Sequence, residues 1–161
     1  MAENEKRLQF IETLMANTST NKHELARLMG MTPQNIFTYF QRDDMKLSLA
    51  QKMAEKLGYN LIFSIHNPEK ASKRVVMDIE SVLGDEGISR LAFLQVAMKY
   101  NGLTRKMLAE QLELNYTGVN RWFKVDDMAL SYIFRIAEIN NLQVAIKAEK
   151  IKTQPGVLNL S

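Results

Sequence analysis

Leu8, Ile11, Leu14 and Met15 recur at the three- and four-residue spacing of one helical face, and 83 residues later Leu91, Leu94, Ala97 and Met98 do the same. A polar break follows each run, TSTN in one place and NGLT in the other. Within it Asn21 and Thr104 stand where a side-chain oxygen can cap a short second helix, Lys22–Met29 or Arg105–Leu112. A tight turn then leads to a third helix, about 33–41 and 116–124. The DDM segment makes a loop in both places. Ser48 and Ser131 mark the start of a fourth helix, with the N-cap expected there or one residue earlier.

The rhythm then changes from helical to alternating. Tyr59, Leu61, Phe63 and Ile65 alternate with Asn60, Ile62, Ser64 and His66, and Leu142, Val144, Ile146 and Ala148 alternate with Gln143, Ala145, Lys147 and Glu149. Period two predicts a strand at the end of each run. A lone strand is not stable by itself, so each needs a partner. Pairing of the two, antiparallel and within one chain, is the economical solution; pairing between two chains, a homodimer through the terminal strands, is the rival.

The two runs are copies of each other. Sliding residues 7–64 onto 90–147 superposes Arg7 on Arg90, Leu8 on Leu91, Phe10 on Phe93, Leu25 on Leu108, Ala26 on Ala109 and Phe40 on Phe123 without a gap. It also superposes Asp43, Asp44 and Met45 on Asp126, Asp127 and Met128, and Leu47 and Ser48 on Leu130 and Ser131. An internal duplication of this size predicts a covalent pseudo-dimer. The expected organisation is a first helical repeat with its strand over 1–66, a connector over 67–89, a second repeat with its strand over 90–151, and a mobile tail over 152–161. In the connector, Val75, Ile79, Val82 and Leu83 before Gly84 predict an additional amphipathic helix.

Composition narrows the function classes. With 161 residues, 46% of them apolar, the chain can bury one medium core or two small ones. The absence of Cys removes disulfides and thiolate metal sites and suits a reducing compartment. The opening MAENEKR is charged and leads into an interrupted apolar pattern, so neither a signal peptide nor a membrane span is expected, and the expected location is cytoplasmic. The formal charge is +3, too small by itself to indicate a nucleic-acid partner. Its distribution is uneven: the excess of positive charge lies on the two repeats, and the connector is acidic. The paired carboxylates Asp43-Asp44 and Asp126-Asp127 precede a helix, where carboxylates cap exposed amides, and have no third ligand spaced to join them in holding a metal.

The second and third helices carry the functional signal. In KHELARLMGMTPQNIFTYFQ and RKMLAEQLELNYTGVNRWFK, Ala26 and Ala109 supply a small residue where two helices cross, Gly30 a turn, and Ile36 and Val119 a branched apolar residue on the third helix. Tyr39 and Trp122 follow one turn later. This resembles the helix-turn-helix of the phage repressor and Cro family, with NYTGVNRWF the closer match. One departure is Glu113 at the turn position, where Gly is usual; positive φ there would cost on the order of 1 kcal/mol, unless the turn is reshaped.

The resemblance implies a mainly α fold of two tandem repressor-like helix-turn-helix units, each ending in a β-strand, the strands forming a small antiparallel sheet. It also implies a double-stranded DNA partner, with the third helices in the major groove. On the family pattern, Gln34 and Thr38 in the first repeat and Tyr116, Thr117 and Arg121 in the second face base edges, with Pro33 offering only an apolar contact. Lys22, Gln41, Arg42, Arg105 and Lys124 fall at phosphate-contacting positions. Phe10, Phe40, Phe93, Phe123 and Trp122 are expected in the core. The function expected is that of a sequence-specific transcriptional regulator with no enzymatic activity, metal or cofactor. The alternative is a protein-protein interaction scaffold or antitoxin-like partner in which one or both units no longer bind DNA.

Overall fold

The computed structural model describes residues 6–69 and 89–152. The connector helix expected around 75–83, and all but the first residue of the expected tail, lie outside the described residues. The first repeat comprises α1 (Gln9–Asn17), α2 (Lys22–Met29), α3 (Pro33–Arg42), α4 (Leu47–Lys56) and β1 (Tyr59–His66). The second comprises α5 (Ala92–Tyr100), α6 (Arg105–Leu112), α7 (Tyr116–Val125), α8 (Leu130–Ile139) and β2 (Gln143–Lys150). The strand partner each repeat needs is supplied inside the chain: β1 and β2 form one antiparallel pair, from Tyr59 opposite Lys150 to His66 opposite Gln143.

The register reveals the symmetry of the molecule. Phe63 lies opposite Ile146, which is its own equivalent in the second repeat. Lys46 likewise forms an isolated bridge with its own equivalent, Ala129. A residue that pairs with its own copy must lie beside the axis relating the copies, so the pseudo-two-fold runs through these two points. At the sheet end, the Phe63 ring is flanked by Phe10 at 6.0 Å, edge-on, and by Phe93 at 5.7 Å. These too are equivalents, so one aromatic cluster on the axis joins the two cores.

At the other end the joint is polar. The first helical amides of α4 and α8 have no partner in their own helices. The Leu47 N–H donates to the Met128 carbonyl at 2.9 Å, and the Leu130 N–H to the Met45 carbonyl at 2.9 Å. The Ser48 N–H donates to the Asp127 carboxylate at 3.0 Å and the Ser48 hydroxyl to its other oxygen. Reciprocally, the Ser131 N–H and hydroxyl donate to Asp44 at 2.9 and 2.7 Å. Each repeat therefore caps the fourth helix of the other.

This arrangement corrects the expected N-cap. The cap positions are Lys46 and Ala129, neither with a side-chain hydrogen bond to its own helix, and Ser48 and Ser131 stand at the second helical position. A local rule looks for the capping oxygen next to the helix in sequence; here it arrives from the other repeat.

The first Asp of each pair works within its own repeat. The Asp43 carboxylate accepts from the Arg7 and Leu8 amides at 2.8 and 3.0 Å, and that of Asp126 from the Arg90 and Leu91 amides at 2.6 and 2.9 Å. These are the opening turns of α1 and α5, where a negative charge also suits the helix dipole. Burial disfavours the Asp126 carboxylate. The Ser89 hydroxyl, the two amides and the Arg90 guanidinium outweigh it and hold the group below the ordinary carboxylate range.

Two outcomes are expected from this framework. Asp44→Ala and Asp127→Ala should each lower unfolding free energy in urea by about 1–2 kcal/mol, the usual worth of a lost helix cap; losses below a few tenths would mean the trans caps are incidental. Because the folded-state pKa of Asp126 lies below its unfolded value, its contribution is complete above about pH 4 and is lost as pH falls through the depressed value. Melting temperatures measured from pH 6 to pH 2 should therefore fall less steeply for Asp126→Asn than for the parent chain, and an unchanged slope would contradict the assignment.

Candidate nucleic-acid interface

In both repeats a short capped helix, a left-handed turn and a ten-residue helix follow one another. Asn21 caps α2 by accepting from the Glu24 amide at 2.8 Å, and Thr104 caps α6 by accepting from the Met107 amide at 3.1 Å, as their sequence positions predict. Gly30 closes α2 at φ 67°, ψ 32°. Glu113 closes α6 at φ 55°, ψ 43°, so the turn keeps its shape without glycine. The same backbone bond completes both turns: the Met31 N–H donates to the Ala26 carbonyl and the Leu114 N–H to the Ala109 carbonyl, each at 2.9 Å. Ala26 and Ala109 are buried, and Ile36 and Val119 are the buried side chains that seat α3 and α7. Both of these helices run one residue beyond the expected end.

With one side seated, the opposite side of each long helix faces outward. On α7, Thr117, Asn120, Arg121 and Lys124 follow the i, i+3, i+4, i+7 spacing of a single face. Together with Arg105 and the Phe123 ring they line a groove of about 430 Å³. Four of the residues singled out in the second repeat are thus gathered in one place, and Tyr116, 52% exposed, stands at the first position of the same helix. Asn120 was not among the sequence candidates, although its place on the Thr117–Lys124 face was legible from the spacing.

The cation at the start of each second helix is held in the same way. Lys22 Nζ lies 5.0 Å from the centre of the Phe40 ring, and the Arg105 guanidinium 4.3 Å from that of Phe123. These are equivalent pairs. Arg105 also donates to Asn120 at 3.1 Å, so its fork is oriented along the groove. Phe40 and Phe123, expected in the core, are half-buried and serve on their outer side as platforms for these charges. Phe93 is buried as expected, whereas Phe10 and Trp122 are half-buried against the core.

The corresponding face of α3 is different. Gln34, Phe37, Thr38 and Gln41 occupy the positions equivalent to Thr117, Asn120, Arg121 and Lys124, so no cation stands on this face. Gln34 and Gln41 are exposed; the Thr38 hydroxyl donates back to the Gln34 carbonyl at 2.9 Å and retains only acceptor capacity outward. Phe37, 37% exposed, lies edge-on to His23 with ring centres 5.3 Å apart. Arg42 is not part of this face: it lies over the Tyr39 ring and lines a separate groove with Arg7 and Lys46.

Set against protein-family models, curated proteins and solved structures, the chain matches none. No helix among the described residues is long and apolar enough to cross a membrane.

The strained turn offers a direct check on the local geometry. Glu113→Gly should raise unfolding free energy by up to ~1 kcal/mol by removing the left-handed penalty on a side chain. A destabilisation on thermal or urea melting would show that the Glu113 side chain contributes more than its backbone costs.

Proposed function

We propose that the chain is a sequence-specific double-stranded DNA-binding regulator that reads two unlike half-sites with α3 and α7. The observation carrying this reading is the α7 groove, where two residue types that read base edges, Asn120 and Arg121, lie between two that neutralise phosphate, Arg105 and Lys124. Such a set suits a helix lying in the major groove: Arg121 pairs with the O6 and N7 of guanine, while Arg105 and Lys124 hold the strands on either side. The pseudo-two-fold that relates α7 to α3 supports the second half of this reading, since a repressor dimer likewise sets two symmetry-related helices on one duplex. Because α3 carries Gln34 and Thr38 where α7 carries Thr117 and Arg121, the second half-site differs from the first.

A second reading is favoured by one observation on α3. Its outward face combines Phe37 with Pro33 and lacks cations, a surface better suited to a protein partner than to phosphate. On that reading the second repeat keeps DNA and the first binds a protein.

Selection from a random duplex library with the intact chain tests both. Two dissimilar elements about 34–36 Å apart should be enriched, with Arg121→Ala relaxing preference at one base pair and Lys22→Ala weakening all sites alike. Enrichment of one element only, with Lys22→Ala indifferent, would favour the divided reading. No enrichment, with binding lost at physiological salt, would remove DNA reading altogether.

A further inference from the structure

The larger groove lies elsewhere, beside the axis where the repeats clasp each other. It measures about 730 Å³ and is ringed by Arg7, Arg42 and Lys46, with Tyr39 and Leu49 as its apolar wall. Asp44 also lines it, but its two oxygens are engaged by the Ser131 N–H and hydroxyl. Arg7 spends only its Nε, on the Asp43 carbonyl at 2.9 Å, and Arg42 rests over Tyr39. Among the described residues none of the three cations forms an ion pair with a carboxylate. Two guanidinium forks and an ammonium thus face one space.

The duplication supplies its own control. Across the pseudo-two-fold, the equivalents of Arg42 and Lys46 are Val125 and Ala129, both uncharged. The equivalents of Tyr39 and Leu49 are Trp122 and Tyr132, whose rings meet at a tilt of 36° with centres 5.0 Å apart. The equivalent of Arg7 is Arg90, whose guanidinium is occupied twice, by Gln51 at 2.7 Å and by the Asp126 carbonyl at 2.9 Å. The clasp itself is kept in both halves. What differs is that Arg42, Lys46 and Arg7 stand around Tyr39 and Leu49 on one side, where the other has Val125, Ala129 and an engaged Arg90 beside the Trp122 and Tyr132 rings. Clasp formation alone does not require that difference, since the second half clasps equally well without it.

We infer that this one-sided groove is a binding site for a small organic anion carrying two or more negative charges, held by Arg7, Arg42 and Lys46 with its apolar part against Tyr39 and Leu49. Guanidinium forks match the paired oxygens of phosphate and carboxylate alike, and the volume lies in the range of small-molecule sites. The inference stands apart from DNA reading by α3 and α7.

Calorimetric titration of the intact chain with ADP and with citrate, at physiological salt, tests it. One-to-one saturable binding of at least one is expected, and which of the two binds identifies phosphate or carboxylate as the charged group. Arg42→Val and Lys46→Ala place in the first repeat the residues the second already carries, so folding should be retained, confirmed by melting; each should weaken binding about tenfold. Leu49→Tyr should close the groove and abolish binding, and Arg121→Ala should leave it unchanged. Failure of both anions to saturate would overturn the inference, as would binding indifferent to Arg42→Val and Lys46→Ala or equally lost in Arg121→Ala. Weaker DNA binding by those two variants with no response to either free anion would also overturn it, and would assign the groove to the DNA backbone.

Discussion

Everything in this molecule depends on a problem of helix ends. The fourth helix of each repeat begins with amides that its own segment cannot satisfy, and an unpartnered amide at a buried joint costs about as much as a lost hydrogen bond. The second Asp of each pair answers for the opposite repeat, Asp127 to Ser48 and Asp44 to Ser131. Neither repeat can complete its own fourth helix, so the two are obliged to meet, and to meet in one relative orientation. The first Asp of each pair does the same work inside its repeat, tying the end of α3 to the start of α1 and the end of α7 to the start of α5. A two-residue motif thus fixes both tertiary and quasi-quaternary structure.

The consequences run outward from that joint. Because Asp43 and Asp126 close α3 and α7, the C-terminal ends of the two candidate reading helices are tied to the clasp. Their separation is then a property of a rigid joint rather than of a linker. The Phe63 cluster with Phe10 and Phe93 stabilises the same axis at its other end by apolar burial, which is non-directional and tolerates the unlike residues of the two copies. The polar end sets orientation and the aromatic end adds buried area. Where neither is involved, on the outward faces of α3 and α7 and around the junction groove, the copies carry unlike residues.

The turns show how much a backbone can hold constant while its residues change. Among the described residues, positive φ occurs at four equivalent pairs: Ser19 and Gly102, Gly30 and Glu113, Asp43 and Asp126, Gly58 and Asn141. In three of them glycine serves one copy and a side-chain-bearing residue the other. Glycine enters the left-handed region freely; Ser, Asn and Glu do so only when surrounding hydrogen bonds and packing require it. The conformation is therefore set by the fold, and glycine marks it in the sequence at Gly30 but not at Glu113.

What the sequence determined by itself is what depends on periodicity and near neighbours. Helical and alternating spacing located four helices and one strand per repeat, Asn21 and Thr104 marked their caps, and the 83-residue offset announced two-fold symmetry. The face carrying Thr117, Arg121 and Lys124 could be read from spacing along one helix, because a helix that buries Val119 must turn those positions outward. Only the tertiary structure decided where partners distant in sequence would meet. Asp127 and Ser48 are 79 residues apart, and nothing in either segment says that the carboxylate belongs to the other copy. Arg42 was legible as a charge at a helix end, but its company with Arg7 exists only because Asp43 ties the end of α3 to the start of α1 when the first repeat folds. Hydrophobic period is written into a single segment, whereas a capping partner or a shared groove is a relation between segments, fixed when the chain folds.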